Sequence, residues 1–251
     1  MELFFDRAFT STIICGDIHG ALEKIVYKIN EQYKIRNSLI ILAGDIGIGF
    51  CKPAYYEPIF KKLNSKLKKN NNVLMMLRGN HDDPAYWDND ILPKYHQENN
   101  GINLRFLKDY TILNVEDSYY SRRIYCQGGA ISIDRLWRLA NKQGYWENEV
   151  FVLNEDKIKD LEGITDIVTH SAPNFCFPID KSGIMSWLKE DSNLLFDLNK
   201  ERDDHAKMYD IIVKKNTIKN YCYGHFHMSK IDFVADTTFK LLDIEELYDL
   251  K

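Results

Sequence analysis

Three short apolar runs in the first third of the chain each lead into a glycine followed by a polar residue, and this repeated pattern constrains the fold most. The runs cover residues 12–15, 38–43 and 73–77 and are rich in aliphatic and β-branched residues, which favour buried strands. Between them, 21–36 and 56–69 carry apolar residues at helical spacing. Strands separated by helices predict a parallel sheet with right-handed crossovers. In such sheets, ligands bind beyond the carboxyl ends of the strands.

The second half of the chain alternates less regularly. Short β-like runs between 104 and 129 predict antiparallel strands, and 166–169 and 221–223 are predicted strands that lead into His170 and Gly224. The remaining predicted elements are two helices and two closing strands, over 152–161, 191–214, 231–234 and 239–242. No internal repeat, low-complexity tract or linker stands out. We therefore expect one domain over 1–251, with small cap segments near 84–103 and 174–190.

The composition indicates a globular protein without a general affinity for polyanions. The chain has 251 residues and a net charge of −4, so a nucleic-acid substrate would need a local basic patch. It has five cysteines without a C-x-x-C pair, and the first residues lack the basic and apolar segments of a secretory signal. No apolar run reaches the ~20 residues that span a bilayer. We expect a cytoplasmic protein that does not associate with membranes.

Polar residues with metal-binding chemistry follow the predicted strands. They lie in five motifs: Gly16-Asp17-Ile18-His19-Gly20, Gly44-Asp45, Gly79-Asn80-His81-Asp82, His170 and Gly224-His225-Phe226-His227. Residues two apart in an extended segment face the same way, so Asp17 with His19, and His225 with His227, can each present two donors to one point. Carboxylates, imidazoles and an amide without a thiolate suit a catalytic Mn, Fe, Zn, Ni or Co ion better than a structural zinc.

Each motif alone has an ordinary interpretation. Gly-Asp is common turn chemistry, Asp45 could cap a helix, and a lone His170 after a strand is more often a hydrogen-bonded core histidine than a ligand. The motifs occur together, in order, each at the carboxyl end of a predicted strand. This conjunction favours a metal centre.

The set resembles the calcineurin-like metallophosphoesterase superfamily, especially its small bacterial and phage-type members. The superfamily signature runs D-x-H, G-D, G-N-H-[DE], H and G-H-x-H, and the resemblance extends over residues 12–242. It implies an α/β fold of four layers, with a central β-sandwich of mixed sheets flanked by helices and a metal site at the carboxyl ends of the strands. It also implies two divalent metal ions, manganese first, with Fe, Zn, Ni or Co as alternatives.

Carried over position by position, the resemblance implies a role for each motif residue. Asp17, His19 and His227 would hold one metal, Asn80, His170 and His225 the other, and Asp45 would bridge both. His81 would donate a proton or orient the phosphate, and Asp82 would fix its tautomer. Two cations ~3.5–4 Å apart can clamp a phosphate and share a hydroxide that attacks phosphorus. The implied activity is that of a binuclear phosphatase or phosphodiesterase using this bridging hydroxide.

Three arginines are candidates for substrate binding. Arg78 precedes the third motif. Arg135 ends, and Arg138 follows, a stretch at 128–135 that is similar to a segment of the bacterial and phage-type members. The alternative for Arg135 and Arg138 is that they are solvated or paired with Asp134. Protein Ser/Thr phosphatases carry a second Asp and a phosphate-binding Arg in a motif resembling G-D-x-x-D-R-G, and residues 44–50 lack both.

The sequence defines the reaction better than the substrate. We expect a phosphorylated small molecule, a nucleotide or a phosphodiester, and no feature points to a partner protein. The alternatives are a nuclease or polynucleotide end-processing phosphatase, a protein phosphatase, and a catalytically silent scaffold. His96 and His205 are predicted to be exposed. For Trp137, Trp146 and Trp187, core or cap packing is favoured over stacking on a base.

Overall fold

The computed structural model describes residues 1–88, 91–178 and 183–251. Its strands are β1 (Glu2–Phe4), β2 (Thr12–Cys15), β3 (Leu39–Leu42), β4 (Val73–Leu77), β5 (Leu104–Leu107), β6 (Thr111–Glu116), β7 (Ser121–Gln127), β8 (Asp166–Thr169), β9 (Asn220–Tyr223), β10 (Lys230–Val234), β11 (Thr237–Leu241) and β12 (Leu247–Asp249). Its helices are α1 (Leu22–Tyr27), α2 (Pro53–Lys69), α3 (Ala85–Asp88), α4 (Arg135–Asn141), α5 (Glu155–Ile158), α6 (Ile184–Glu190) and α7 (Leu194–Val213).

The first sheet has five strands in the order β12-β2-β3-β4-β5. Strands β2 to β5 run parallel, and β12 pairs antiparallel with β2. α1 connects β2 to β3, and α2 connects β3 to β4, as the alternating pattern predicts. The carboxyl ends of β2, β3 and β4 therefore lie side by side.

The second sheet has seven strands in the order β1-β6-β7-β8-β9-β11-β10. Strands β7, β8, β9 and β11 run parallel, whereas β6 is antiparallel to β7 and β10 to β11. The antiparallel pair expected between 104 and 129 is thus β6 and β7. β8 and β9 are neighbours, so His170 and Gly224, which follow them, leave the sheet side by side.

Side-chain alternation explains how the layers pack. Ile14 and Ile41 of the first sheet belong to a buried cluster that also contains Val168 of the second sheet. Ile13 and Ile40, on the opposite face, join a cluster that includes residues of α1 and α2. A third cluster joins the outer face of the second sheet to α7. Helices therefore flank a sandwich of two mixed sheets, which confirms the expected α/β fold and explains the unbroken apolar runs.

Two helices are shorter than predicted. The α-helix expected over 21–36 covers Leu22–Tyr27 and then continues as a π-helical turn, Lys28–Gln32. The helix expected over 152–161 is reduced to α5. The side chain of Asn154 accepts a hydrogen bond from the Lys157 N–H at 3.3 Å, so this N-cap sets the start of α5 later than apolar periodicity suggests.

The prediction that His205 is exposed is wrong. The side chain is 0% exposed and stacks on Phe151, with ring centroids 3.8 Å apart. It lies in the buried stripe of α7 together with Leu198, Glu201 and Met208, because these positions repeat at helical spacing. Charged neighbours in the sequence mask that stripe. Burial, followed by the effect of His170, lowers the pKa of His205 to about 3.

His96 is also not the exposed loop residue that was predicted. It is half-buried, and its ring lies 6.2 Å from that of Phe106. A bridge between His96 and Phe106 ties this segment to β5. The contact with the sheet shields part of the imidazole from solvent.

The two expected cap segments differ from one another. Within 84–103, the described part contains α3, whose buried Trp87 donates from Nε1 to the Met76 carbonyl at 2.7 Å, so α3 belongs to the core. Within 174–190, the described part contains α6. Residues 89–90 and 179–182 of these segments lie outside the described residues. Among the helices of the described ranges, none has the length and apolar character needed to cross a bilayer.

Candidate metal centre

Five loops bring the motif residues together at one edge of the sandwich. The loops follow β2, β3, β4, β8 and β9, which contribute the predicted ligands Asp17, His19, Asp45, Asn80, His170, His225 and His227. Four of these residues, Asp17, His19, Asp45 and His227, each offer a donor atom within 4.8 Å of the others. Residues from opposite ends of the chain thus form one cluster of oxygen and nitrogen donors.

The first group of donors consists of Asp17, His19 and His227. The Nε2 atoms of His19 and His227 lie 2.8 Å apart, and Asp17 Oδ2 lies 3.1 Å from His227 Nε2. Donor atoms bound to one ion at ~2.0–2.2 Å are separated by roughly 3 Å. The spacing of these donors therefore fits a shared cation.

The second group consists of His170, Asn80 and Asp45. His170 Nδ1 lies 2.7 Å from the Ala43 carbonyl oxygen, and because a carbonyl only accepts, Nδ1 must carry the hydrogen. His170 Nε2 then faces Asn80 Oδ1 at 3.0 Å and Asp45 Oδ1 at 3.2 Å. Burial opposes a positive charge here, but Asp45 outweighs it and raises the pKa of His170 to about 10. The arrangement of acceptors thus requires a cation, either a proton or a metal ion.

Asp45 lies between the two groups. Its Oδ1 faces His170, whereas its Oδ2 lies 3.8 Å from His19 Nδ1. Oδ1 also accepts a hydrogen bond from the His81 N–H at 2.8 Å. The side chain is 2% exposed. Burial opposes ionisation of this carboxyl, but the neighbouring His170 outweighs burial and holds the pKa of Asp45 well below its usual range.

His225 completes the set beside His170. The two ring centroids are 5.0 Å apart, and the His225 N–H donates to Asp17 Oδ1 at 2.9 Å. Burial, and then the positive charge on His170, lower the pKa of His225 well below its usual value. The ring is therefore neutral and keeps a lone pair for a metal ion.

The backbone at this edge is unusual. Four of the predicted ligands have positive φ, namely His19 at 43°, Asp45 at 50°, His225 at 70° and His227 at 49°. Such backbone costs ~1–3 kcal/mol per residue and clusters at functional sites. Gly44 has φ +107°, and a Cβ at that position would lie 2.2 Å from His170 Nδ1. A glycine is needed there because the His170 ring packs directly against the backbone.

His81 borders the cluster of candidate ligands, and Asp82 lies next to it in the same loop. The His81 ring lies 5.5 Å from His19 and 6.4 Å from Phe50, measured between ring centroids. Burial lowers the pKa of His81, an effect that Asp45 opposes.

The expectation that Asp82 fixes the tautomer of His81 is corrected. In the described ranges, the hydrogen bonds of its carboxylate go to backbone, at 2.8–3.0 Å from the N–H groups of Ile46, Gly47, Ile48 and Gly79. Asp82 thus organises the loops after β3 and β4, with the ring of His81 directed elsewhere.

The arginines predicted to bind substrate are engaged elsewhere. Arg78 is buried, pairs with Asp109 at 2.7 Å and donates to the Glu149 carbonyl at 2.7 Å. Arg135 pairs at 2.6 Å with both Asp191 and Asp197. These two assignments are corrected, because each guanidinium already has its anions. The sequence alternative for Arg135, that its partner is Asp134, is replaced by this pair.

Arg138 occupies a position behind Asn80. It is 2% exposed and donates to the carbonyls of Asn80 and Gly144 and to the Ser132 hydroxyl. It also lines a cavity together with His81. Its contacts favour a supporting role over direct binding of substrate.

Sequence reasoning missed the residue that orients Asn80. Asn80 Nδ2 donates to Ser132 Oγ at 3.0 Å, which directs Oδ1 toward His170. The Ser132 N–H donates to Glu149 Oε1 at 3.2 Å. Ser132 lies in the 128–135 stretch that also contains Arg135. Nothing in its residue type marks it as a partner of Asn80.

Comparisons with known proteins place the chain in a family. The model of the family described as calcineurin-like phosphoesterase matches residues 10–229. Comparison with curated proteins gives no match.

Two similar solved structures are a phosphopantetheinyl hydrolase from Mycobacterium tuberculosis and GAP50, the anchor in the inner membrane complex of Plasmodium. The first is 11% identical, with a TM-score of 0.42 and 96% of each chain covered. The second is 13% identical, with a TM-score of 0.43, covering 94% of this chain and 72% of the other. At these scores, neither similarity adds to the assignment. The family model matches most of the sequence, including all seven clustered donors, and the chain belongs to the calcineurin-like phosphoesterase family.

Proposed function

We propose that the protein is a binuclear metal-dependent phosphoester hydrolase. The observation that carries the proposal is the position of Asp45, whose two oxygens face different donor groups: His170 at 3.2 Å and His19 at 3.8 Å. A carboxylate placed in this way can bridge two ions. Membership of a phosphoesterase family supports the same reaction class.

The donor set supports two divalent ions, manganese first, with Fe, Zn, Ni or Co as alternatives. In this proposal Asp17, His19 and His227 hold one ion, and Asn80, His170 and His225 hold the other. When bound, the ions would supply the positive charge that clamps a phosphate and a hydroxide at neutral pH. Neutral His225 and the hydrogen bond from His170 to Ala43 support ligation, because both leave a ring lone pair free.

His81 is the proposed proton donor to the leaving group. The backbone N–H of His81 donates to Asp45 Oδ1, and the His81 ring lies 5.5 Å from that of His19, beside the place where the phosphoryl group would bind. An alkoxide leaves poorly without a proton, and a positioned imidazole can supply one. In this proposal Asp82 acts through the loops that carry Asp45 and His81.

The substrate is proposed to be a phosphorylated small molecule, a nucleotide or a phosphodiester, hydrolysed in the cytoplasm by one domain spanning 1–251. Nucleic acid remains the alternative substrate. The pairing of Arg78 with Asp109 and the missing arginine in 44–50 weigh against a phosphoprotein substrate.

The test is hydrolysis of p-nitrophenyl phosphate and bis-p-nitrophenyl phosphate by metal-stripped protein after addition of Mn, Ni, Co, Zn or Mg singly. We expect turnover that depends on the metal, is lost in Asp45→Asn, and falls roughly 10²–10⁴-fold in His81→Ala. The amount of bound metal is measured in parallel. Protein that binds about two ions without turning over either ester would indicate the silent scaffold. Protein that binds no metal would contradict the proposal.

A further inference from the structure

Two cavities meet at His81. The first, the aromatic cavity, has a volume of about 670 Å³ and is lined by Phe50, Trp137, Tyr145 and Trp146 among others. The second, the apolar cavity, has a volume of about 620 Å³ and is lined by residues that include Ile133, Phe177, Ile184, Trp187 and Leu198. Volumes of this size are typical of small-molecule sites. His81 and Asp134 line both cavities.

The candidate metal ligands border only one of the two cavities. Asp45, Asn80, His225 and His227 line the apolar cavity, and none of the seven ligands lines the aromatic cavity. A phosphoryl group bound beside these candidate ligands would therefore lie at the part of the apolar cavity that they line. The leaving-group oxygen must reach His81, and beyond His81 lies the aromatic cavity.

Accessible rings wall the aromatic cavity. Phe50 is 51% exposed and Trp137 is 44% exposed. The Phe50 ring lies nearly parallel to that of His81, at an interplanar angle of 21°, and edge-on to that of Trp146, at 5.3 Å. A flat leaving group entering past His81 would meet aromatic faces on which it can stack.

The apolar cavity, at about 620 Å³, is larger than a phosphoryl group alone would fill. Its lining also includes Arg202, whose guanidinium lies over the Phe177 ring at 4.0 Å. A second organic substituent on phosphorus would fill the cavity and bury its apolar wall.

We propose that the substrate is a phosphodiester with a ring-sized group on each side, an inference that rests on the proposed function. The leaving arm occupies the aromatic cavity, and the retained arm occupies the apolar cavity. One water is consumed: its hydroxyl group joins phosphorus, the bond from phosphorus to the leaving oxygen breaks, and that oxygen takes a proton from His81, which the proton of the water replaces. The retained arm leaves as a phosphomonoester.

The experiment compares the binding of diphenyl phosphate and methyl phenyl phosphate to the manganese-loaded full chain by calorimetry. Both probes are monoanions with the same phenyl leaving arm, and they differ only in the second arm. We expect diphenyl phosphate to bind about tenfold more tightly, the scale of burying one aromatic ring.

Variants assign the preference to a cavity. Trp187→Ala, with Ile184→Ala as a second variant of the same wall, should abolish most of the preference. Phe50→Ala should weaken both probes by a similar factor and leave their ratio unchanged. Met185→Ala, on the same helix as Trp187 but 61% exposed, and Phe196→Ala, which is 72% exposed, are the controls and should change neither affinity.

The outcomes separate this proposal from the proposed function. Equal affinities in the wild type, or a preference that both Trp187→Ala and Ile184→Ala retain, overturn the two-arm proposal even if metal-dependent turnover is found. A tenfold preference that these variants remove supports it, even if neither p-nitrophenyl ester is hydrolysed, in which case the hydrolase assignment would be the one that fails.

Discussion

Asp82 Oδ2 accepts a hydrogen bond from the Ile46 N–H at 3.0 Å, and this bond ties the loop that carries His81 to the loop that carries Asp45. The same oxygen accepts from the Gly79 N–H at 2.8 Å. Burial raises the pKa of Asp82 to about 6 even though backbone donors oppose the shift. The carboxylate thus positions two other site residues through backbone.

Asp82→Asn should destabilise the fold as well as the site. An amide group replaces one carboxylate oxygen and leaves two buried N–H donors unpaired, at ~1–3 kcal/mol each. We expect the free energy of unfolding to fall by about 2–6 kcal/mol in urea titrations. The matched control is Asp83→Asn, because Asp83 Oδ1 accepts from a single backbone donor among the described residues, the Ala85 N–H. Equal stability of Asp82→Asn and wild type would contradict this role.

Ser132→Ala should weaken one metal site without removing a ligand. Asn80 loses the acceptor that directs its amide, and losing such an outer partner typically lowers metal affinity 10–100-fold. Calorimetric titration with manganese should show one weakened site and one retained site. Ser65→Ala is the control, since within the described part of the chain its hydroxyl donates to the Lys61 carbonyl alone, on the exposed face of α2. Two unchanged sites in Ser132→Ala would show that Asn80 needs no such partner.

Gly44→Ala should be far more harmful than Gly20→Ala. Both glycines have positive φ, +107° and +84°, but a Cβ on Gly20 would meet nothing within 4 Å, whereas on Gly44 it would lie 2.2 Å from His170. The backbone cost is common to both variants, so their difference reports the collision. We expect Gly44→Ala to lose about 1–3 kcal/mol more in free energy of unfolding, together with bound metal. Similar losses in the two variants would mean that the His170 ring can move freely.

Acidification should lower the free energy of unfolding, because His205 takes up a proton more readily in the unfolded chain. Its pKa is about 3 when folded, against 6.5 when unfolded, so the unfolded chain binds the extra proton between these values. Stability is therefore intact above pH 6.5 and falls by about 1.4 kcal/mol per pH unit below it. The measurement is the free energy of unfolding of wild type minus that of His205→Gln, at pH 7, 6 and 5. The subtraction removes the titration of other groups, and a difference that does not vary with pH would contradict the buried neutral histidine.

The strands and the candidate ligands could be predicted because their signals are local. The runs at 12–15 and 73–77 agree with β2 and β4 to the residue, since both faces of these strands are buried and the runs have no polar interruption. The ligand positions followed from motif order at strand ends. Their grouping around Asp45 depends on neighbouring strands, and the sheet order of the structure brings them together.

The supporting residues could not be predicted, because their partners are distant in the sequence. Arg78 carries the same charge whether it binds phosphate or Asp109, which lies 31 residues away. The family resemblance assigned Asp82 to the ring of His81, whereas its carboxylate accepts from backbone N–H groups such as those of Ile46 and Gly79. His205 was misjudged because charged neighbours hide one buried position on a helix. In each case the fold decides which partner comes within reach.

The left-handed backbone at four candidate ligand positions also bears on how metal ions would exchange. Hydrogen bonds within the chain hold these loops in place. They include the bonds that Asp82 accepts, the bond from His170 to the Ala43 carbonyl and the bond from the His225 N–H to Asp17. These hydrogen bonds compensate the backbone strain before any ion binds, so ion binding need not supply the free energy that orders the loops. We expect an ion to be removed and replaced without unfolding, so that the supply of metals in the cell at a given time, more than conditions during folding, would decide which ions the protein carries.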